Sequence, residues 1–128
     1  MGEILFKNES EFKPDSLIIS AQVGMVVKGV KLAPKQGVLK RGTLIGQAAS
    51  DNLFYITGKE VSSVAVGVTG VLTDDVDTGD ATATEPVIAT QYVTGEFNKT
   101  ALHVAETVEV DDYEAELRKL GIFIQNTI

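Results

Sequence analysis

The chain predicts a mainly β fold, a β-rich α+β domain with one or two short helices, and three observations carry that expectation. Hydrophobic residues make up 44% of the 128, yet Trp is absent and there are only five Phe and three Tyr, so the core must be built largely from Val, Leu, Ile and Ala. Small and β-branched side chains of this kind suit the pleated surface of a sheet. The apolar runs from Val38 onward are short and punctuated by glycines, as strands and turns are. Only the stretch from Asp111 to Gly121 carries helix signals at both ends. A chain of this length suits one domain with one core.

Residues 1–33 differ from the rest, mixing Glu3, Lys7, Glu9, Glu11, Lys13 and Asp15 with apolar clusters and the helix-stopping Pro14. They are expected to form an extended N-terminal arm, with residues 34–128 as the β-rich body. Pro34-Lys35-Gln36-Gly37 is a turn, because proline pre-sets φ and glycine tolerates positive φ. Val38-Leu39 leads into the apolar stretch Arg41–Gly46, and the polar turn Ser50-Asp51-Asn52 connects it to the strand-like Leu53–Thr57. Val64–Leu72 is a β-branched run whose internal Gly67 and Gly70 mark a bulge or a close backbone approach. The acidic loop Asp74–Asp80 then breaks the strand, and Val87–Thr94 is read as another strand ending at Gly95.

The helix is expected to start at Asp111 or Asp112 as N-cap, with Asp111 and Glu114 as a capping box. Glu116 lies in its first turn, Arg118 and Lys119 in its last, and Gly121 stops it. Tyr113, Leu117 and Leu120 recur at i, i+4 and i+7 and form the face that packs on the body. Ile122-Phe123-Ile124 closes the chain as a strand.

Charge and composition exclude several function classes. Eleven Lys and Arg against eighteen Asp and Glu give a formal charge of −7, which repels a phosphate backbone, so no direct nucleic-acid contact is expected. Without cysteine there is neither a disulfide framework nor a thiol nucleophile. The N-terminus lacks a signal-peptide pattern and no apolar run approaches the ~18 residues that span a bilayer, so synthesis in a cytoplasm and no membrane partner are expected. On that reading, Asn8-Glu9-Ser10 and Asn98-Lys99-Thr100 match the glycosylation pattern by chance.

No constellation carries catalysis, and no catalytic, cofactor-binding or metal-binding residue is assigned. In the acidic loop, Asp75 and Asp77 match the first two acidic positions of a calcium loop, but Gly79 replaces the third ligand and the terminal glutamate is absent. A solvated turn is the better account. His103 is the sole histidine, so a His pair cannot form, and no Gly-x-Ser-x-Gly elbow accompanies it; beside Leu102 and Val104 it is expected to be half-buried and structural. The paired acids at 74–75, 111–112 and 114/116 are explained by solvation and capping. The glycines of Lys40–Gly46 fit no phosphate-loop pattern. Arg41, a planar donor, is either a possible interface residue that pairs with a carboxylate, within an oligomer or on a partner, or an ordinary surface charge.

Taken in order, Pro14–Ile18, Lys40–Gly46, Val71–Asp77, Glu85–Asn98 and Leu117–Ile124 resemble the lambda D-like head decoration proteins of tailed bacteriophages, over roughly residues 12–124. The resemblance implies a compact β-barrel-like body of the β-tulip kind, assembled as a homotrimer on the major capsid protein. It implies trimers at threefold positions on the outer surface of the expanded head, which they stabilise against the pressure of packaged DNA. It further implies that the arm docks on the shell. There Ile4, Leu5 and Phe6 would add to a sheet edge by β-augmentation, with Phe12 and Pro14 as further candidate capsid-binding residues. Two alternatives come from other classes: a surface-displayed β-rich module that recognises a carbohydrate or host ligand, and a metal-dependent enzyme using the acidic loop with His103.

Overall fold

A computed structural model of the chain describes residues 17–20 and 26–125. The strands, in chain order, are β1 (Ile18–Ser20), β2 (Val27–Leu32), β3 (Val38–Leu39), β4 (Leu44–Gln47), β5 (Phe54–Ile56), β6 (Glu60–Val61), β7 (Val64–Ala65), β8 (Gly70–Leu72), β9 (Val76–Asp77), β10 (Val87–Tyr92) and β11 (Gly95–Asn98). Short 3₁₀ turns at Lys99–Ala101 and Val110–Tyr113 lead into the helix α1 (Glu114–Leu120), and β12 (Ile122–Gln125) follows. The fold is mainly β, with one short α-helix, as the composition predicts.

Five strands close a barrel in the order β10-β2-β5-β4-β8. The longest ladder is antiparallel, six register pairs from Val87 opposite Leu32 to Tyr92 opposite Val27. The seam is the short parallel contact of β2 with β5 at Leu32 and Phe54. There Gln36 takes over as a strand substitute: its Nε2 donates to the carbonyls of Ala33 (2.8 Å) and Phe54 (3.2 Å), and its Oε1 accepts from the Ile56 amide at 2.9 Å. The Ala33 carbonyl and the Ile56 amide are thereby satisfied, while the Phe54 carbonyl also accepts from the Ala33 amide at 2.9 Å.

Alternation along β4 and β8 divides the interior in two. Ile45 and Leu72 point into the barrel with Val30, Leu32 and Leu39. Their neighbours Leu44 and Val71 point out of it, into a second cluster with Leu17, Phe97, Leu102, Leu117 and Ile122. That second cluster is roofed by the three-stranded sheet β1-β11-β12 and by α1. β11 and β12 are parallel, so the chain between them must cross over, and the 3₁₀ turns and α1 make that crossover. β4 and β8 are therefore buried on both faces, whereas β2 and β10 have one wet face.

Several sequence expectations change. Val27–Leu32, assigned to the arm, is a barrel strand with Val30 and Leu32 buried, and Leu17 is only 1% exposed in the second core. The run Val64–Leu72 splits: β7 joins β6 in a projecting hairpin, and only Gly70–Leu72 enters the barrel wall. The acidic loop contains β9, paired with β3, and Gly95 opens β11, β10 having ended at Tyr92. The helical segment begins earlier than predicted, since Asp112 Oδ2 accepts from the Glu109 amide at 3.0 Å, so Glu109 and Asp112 take the capping roles expected of Asp111 and Glu114. Leu117 is buried as expected, but Leu120 is exposed because the helix ends at Gly121, whose φ of 91° turns the chain away.

Gly46 illustrates why the internal glycines matter: a Cβ there would collide with the carbonyl of Gly67, which crosses β4 at backbone contact. Gly46→Ala is expected to cost about 1–3 kcal/mol through overpacking, and Leu44→Ala about 2–5 kcal/mol through a cavity in the second core. Urea unfolding of the two variants checks both.

At the β4–β5 turn, the Tyr55 hydroxyl donates to Asp51 Oδ2 at 2.6 Å. This bond pushes the Tyr55 phenol up to about 12 and holds the Asp51 carboxyl below its usual range. A raised phenol contributes stability that is present below its ordinary pKa and lost as pH rises through about 12. The depressed carboxyl contributes stability that is lost as pH falls below the ordinary aspartate value. Phenolate absorbance, compared between the wild type and Tyr55→Phe, should place the missing titration near 12. Asp51→Asn should return it towards the ordinary 10.0.

Candidate functional site

The arm candidates Ile4, Leu5, Phe6, Phe12 and Pro14 lie outside the described residues. What the structure places is the point where that segment joins the body. Leu17 fills a slot in the second core, its carbonyl accepting from the Asn98 amide at 2.7 Å. Gly42 makes the slot possible: its φ of 97° suits glycine, and a Cβ there would meet the Ala101 carbonyl and lie 3.3 Å from Leu17 Cδ1. β1 then pairs antiparallel with β11, Ile18 opposite Phe97 and Ser20 opposite Glu96, with an irregularity between.

Arg41 stands next to this junction. Its amide donates to Asp75 Oδ1 at 2.7 Å, and its guanidinium donates to the Thr73 carbonyl at 2.7 Å and the Tyr92 hydroxyl at 3.0 Å. The guanidinium carbon lies 5.7 Å from the centre of the Tyr92 ring, which in turn packs against Phe97 with ring centres 5.6 Å apart. Within the protomer Arg41 therefore ties the β3–β4 turn to the ends of β8 and β10, one guanidinium nitrogen serving both acceptors while the group lies over the Tyr92 ring. A shallow groove of about 480 Å³ opens beside it, lined by Leu17, Lys40, Arg41, Asp75, Thr100, Ala101 and His103.

The acidic loop is occupied by its own turn chemistry. Asp74 accepts from the Thr73 hydroxyl at 2.9 Å, Asp77 from the Gly79 amide at 2.9 Å, and Asp80 from the Thr82 amide and hydroxyl at 2.9 and 2.6 Å. Those two bonds hold the Asp80 carboxyl below its usual range, the hydroxyl being the stronger cause. Among the described residues no group of three His, Asp or Glu could hold a metal ion. His103 is exposed, contrary to the half-buried expectation, because its backbone, not its imidazole, does the packing: its carbonyl accepts from Leu44 at 2.8 Å and its amide donates to Gly42 at 3.1 Å.

Sequence reasoning missed the apolar residues the barrel leaves outside. Ile88, 78% exposed, stands opposite Lys31 on the wet face of β10 and β2, and Val26 and Val27 are exposed at the other end of the same ladder. Val64, 68% exposed, lies at the tip of the β6–β7 hairpin, whose turn residues Ser62 and Ser63 both have positive φ. Alternation within β2 and β10 was the available signal for the first; nothing local marks the second. No described helix is long and apolar enough to cross a membrane.

No curated protein matches the chain. A family model does, over residues 6–123, and it describes the bacteriophage lambda head decoration protein D. That span takes in the whole barrel, the second core and α1. The chain belongs to the bacteriophage lambda head decoration protein D family, structural proteins associated with the phage capsid.

Proposed function

We propose that this chain is a capsid cement protein, bound as trimers to the outside of the expanded head at threefold positions and holding it against the pressure of packaged DNA, with no catalytic activity. The observation that carries this reading is the family match, which runs nearly end to end and leaves no additional domain to supply another activity within its span. The structure supports it in two ways. The acids that could have built a reactive or metal site are used in turns and caps. The main sheet is a closed barrel, so its five strands present no open edge with which to pair.

The capsid-contacting arm, drawn from the sequence as residues 1–33, narrows on this reading to the residues before Leu17, because Val27–Leu32 is committed to the barrel. Ile4, Leu5, Phe6, Phe12 and Pro14 would contact the major capsid protein, the first three by adding backbone hydrogen bonds to a shell sheet edge. Three arms on one trimer multiply modest single contacts. A surface of net negative charge keeps the protein off the DNA during assembly. Arg41 could reach a neighbouring protomer only in addition to its bonds to Thr73 and Tyr92.

Co-sedimentation with procapsids and with expanded capsids of its own phage tests the reading. Saturable binding to expanded shells alone, in multiples of three copies per site, is the expected result; no binding to either shell would overturn it. Deleting residues 1–13 is expected to leave the melting temperature unchanged while weakening shell binding at least about tenfold, as loss of a multivalent contact should. Unchanged affinity of the truncated protein would remove the arm from the mechanism.

A further inference from the structure

We propose that Leu17, with the three residues of β1, is the positioning element that couples the shell-bound arm to the body; this inference rests on the decoration reading above. An arm strengthens a shell only if tension on it reaches the folded domain. Leu17 is where the described body begins, and among the described strands β1 is three residues long, lies at the edge of its sheet and pairs with β11. A strand so short has a weak ladder, and an isolated pair of this length is marginal in water. Something must hold it.

The holding contact is the Leu17 side chain. It is 1% exposed in the cluster that Leu44 and Val71 supply from the barrel wall and Phe97, Leu117 and Ile122 from the roof. Burying it contributes about 1.5–3 kcal/mol to keeping this end of the chain in place. The slot is built for it, since Gly42 is held at positive φ with no room for a Cβ beside Leu17 Cδ1. The Leu17 carbonyl bond to Asn98 continues the ladder that β1 makes with β11. Arg41, through Tyr92 and Phe97, braces the same cluster from the barrel side.

Withdrawal of Leu17 would move the first fixed point of the described chain from Leu17 to β2, and a longer connection lowers the effective concentration at which an arm acts.

The test compares Leu17→Ala with Leu117→Ala, a cavity of the same size in the same core but on α1. Both are expected to lower the melting temperature, whereas binding to expanded shells should weaken for Leu17→Ala only. Because the chain has no cysteine, a Ser20→Cys/Glu96→Cys pair, opposite in register, staples β1 to β11 without competing thiols. In the Leu17→Ala background the oxidised staple should restore shell binding, and reduction should abolish the rescue. Leu17→Val should show the same ordering at smaller amplitude if the alanine variant does not fold. Equal losses in Leu17→Ala and Leu117→Ala, or no rescue by the staple, would overturn the anchor while leaving the decoration reading intact. Wild-type protein that fails to bind shells would overturn that reading and the anchor with it.

Discussion

The two-faced wall formed by β4 and β8 is the constraint on which the rest of this molecule depends. Leu44 and Val71 face one core while Ile45 and Leu72 face the other, so the barrel and its roof share a boundary only two strands wide. A one-residue slip of either strand would exchange the two sets of side chains and disrupt both cores at once. The glycines of the wall follow from the same crowding. Gly46 lies against the Gly67 backbone, and a Cβ at Gly70 would strike the Gln91 side chain and the Tyr92 carbonyl. Even the buried polar groups serve it: the Thr57 hydroxyl donates to the Gly67 carbonyl at 2.8 Å, and that of Thr69 to Gln91 Oε1 at 3.1 Å.

Closure of the barrel sets what the surface can do. A short parallel seam is the weakest place in such a sheet, and Gln36 completes it with three hydrogen bonds from one side chain. The remaining edges belong to small sheets at the periphery, among them β1 and β12. Closure leaves the five barrel strands without an open edge through which copies could pair. The surface ion pairs Lys99–Asp111 at 2.6 Å and Arg118–Glu114 at 3.2 Å contribute little to stability. Stability rests on the two cores.

The chain belongs to a family of capsid-associated structural proteins, and its packing shows which surfaces the fold leaves free of its cores. The described residues begin with Leu17, which lies in the second core. The projecting β6–β7 hairpin and the wet face of β2 and β10 lie outside both cores, and substitutions there should be tolerated by the fold.

Local conformational chemistry was legible in the sequence. Low aromatic content and glycine-bounded β-branched runs indicated a mainly β fold, Pro34–Gly37 and Ser50–Asn52 are the turns they were expected to be, and Gly121 stops the helix through its positive φ. These outcomes depend on a residue's own φ, ψ and caps, which a short window contains. The tertiary structure decided what depends on partners distant in sequence. It drew Val27–Leu32 into the barrel through a ladder to residues some sixty positions away, and it split Val64–Leu72 between a hairpin and the wall. It also gave Arg41 its partners Thr73 and Tyr92. An apolar run buried on both faces shows no alternation, so its sequence cannot say which core each residue enters; only the packing of the second layer against β4 and β8 does.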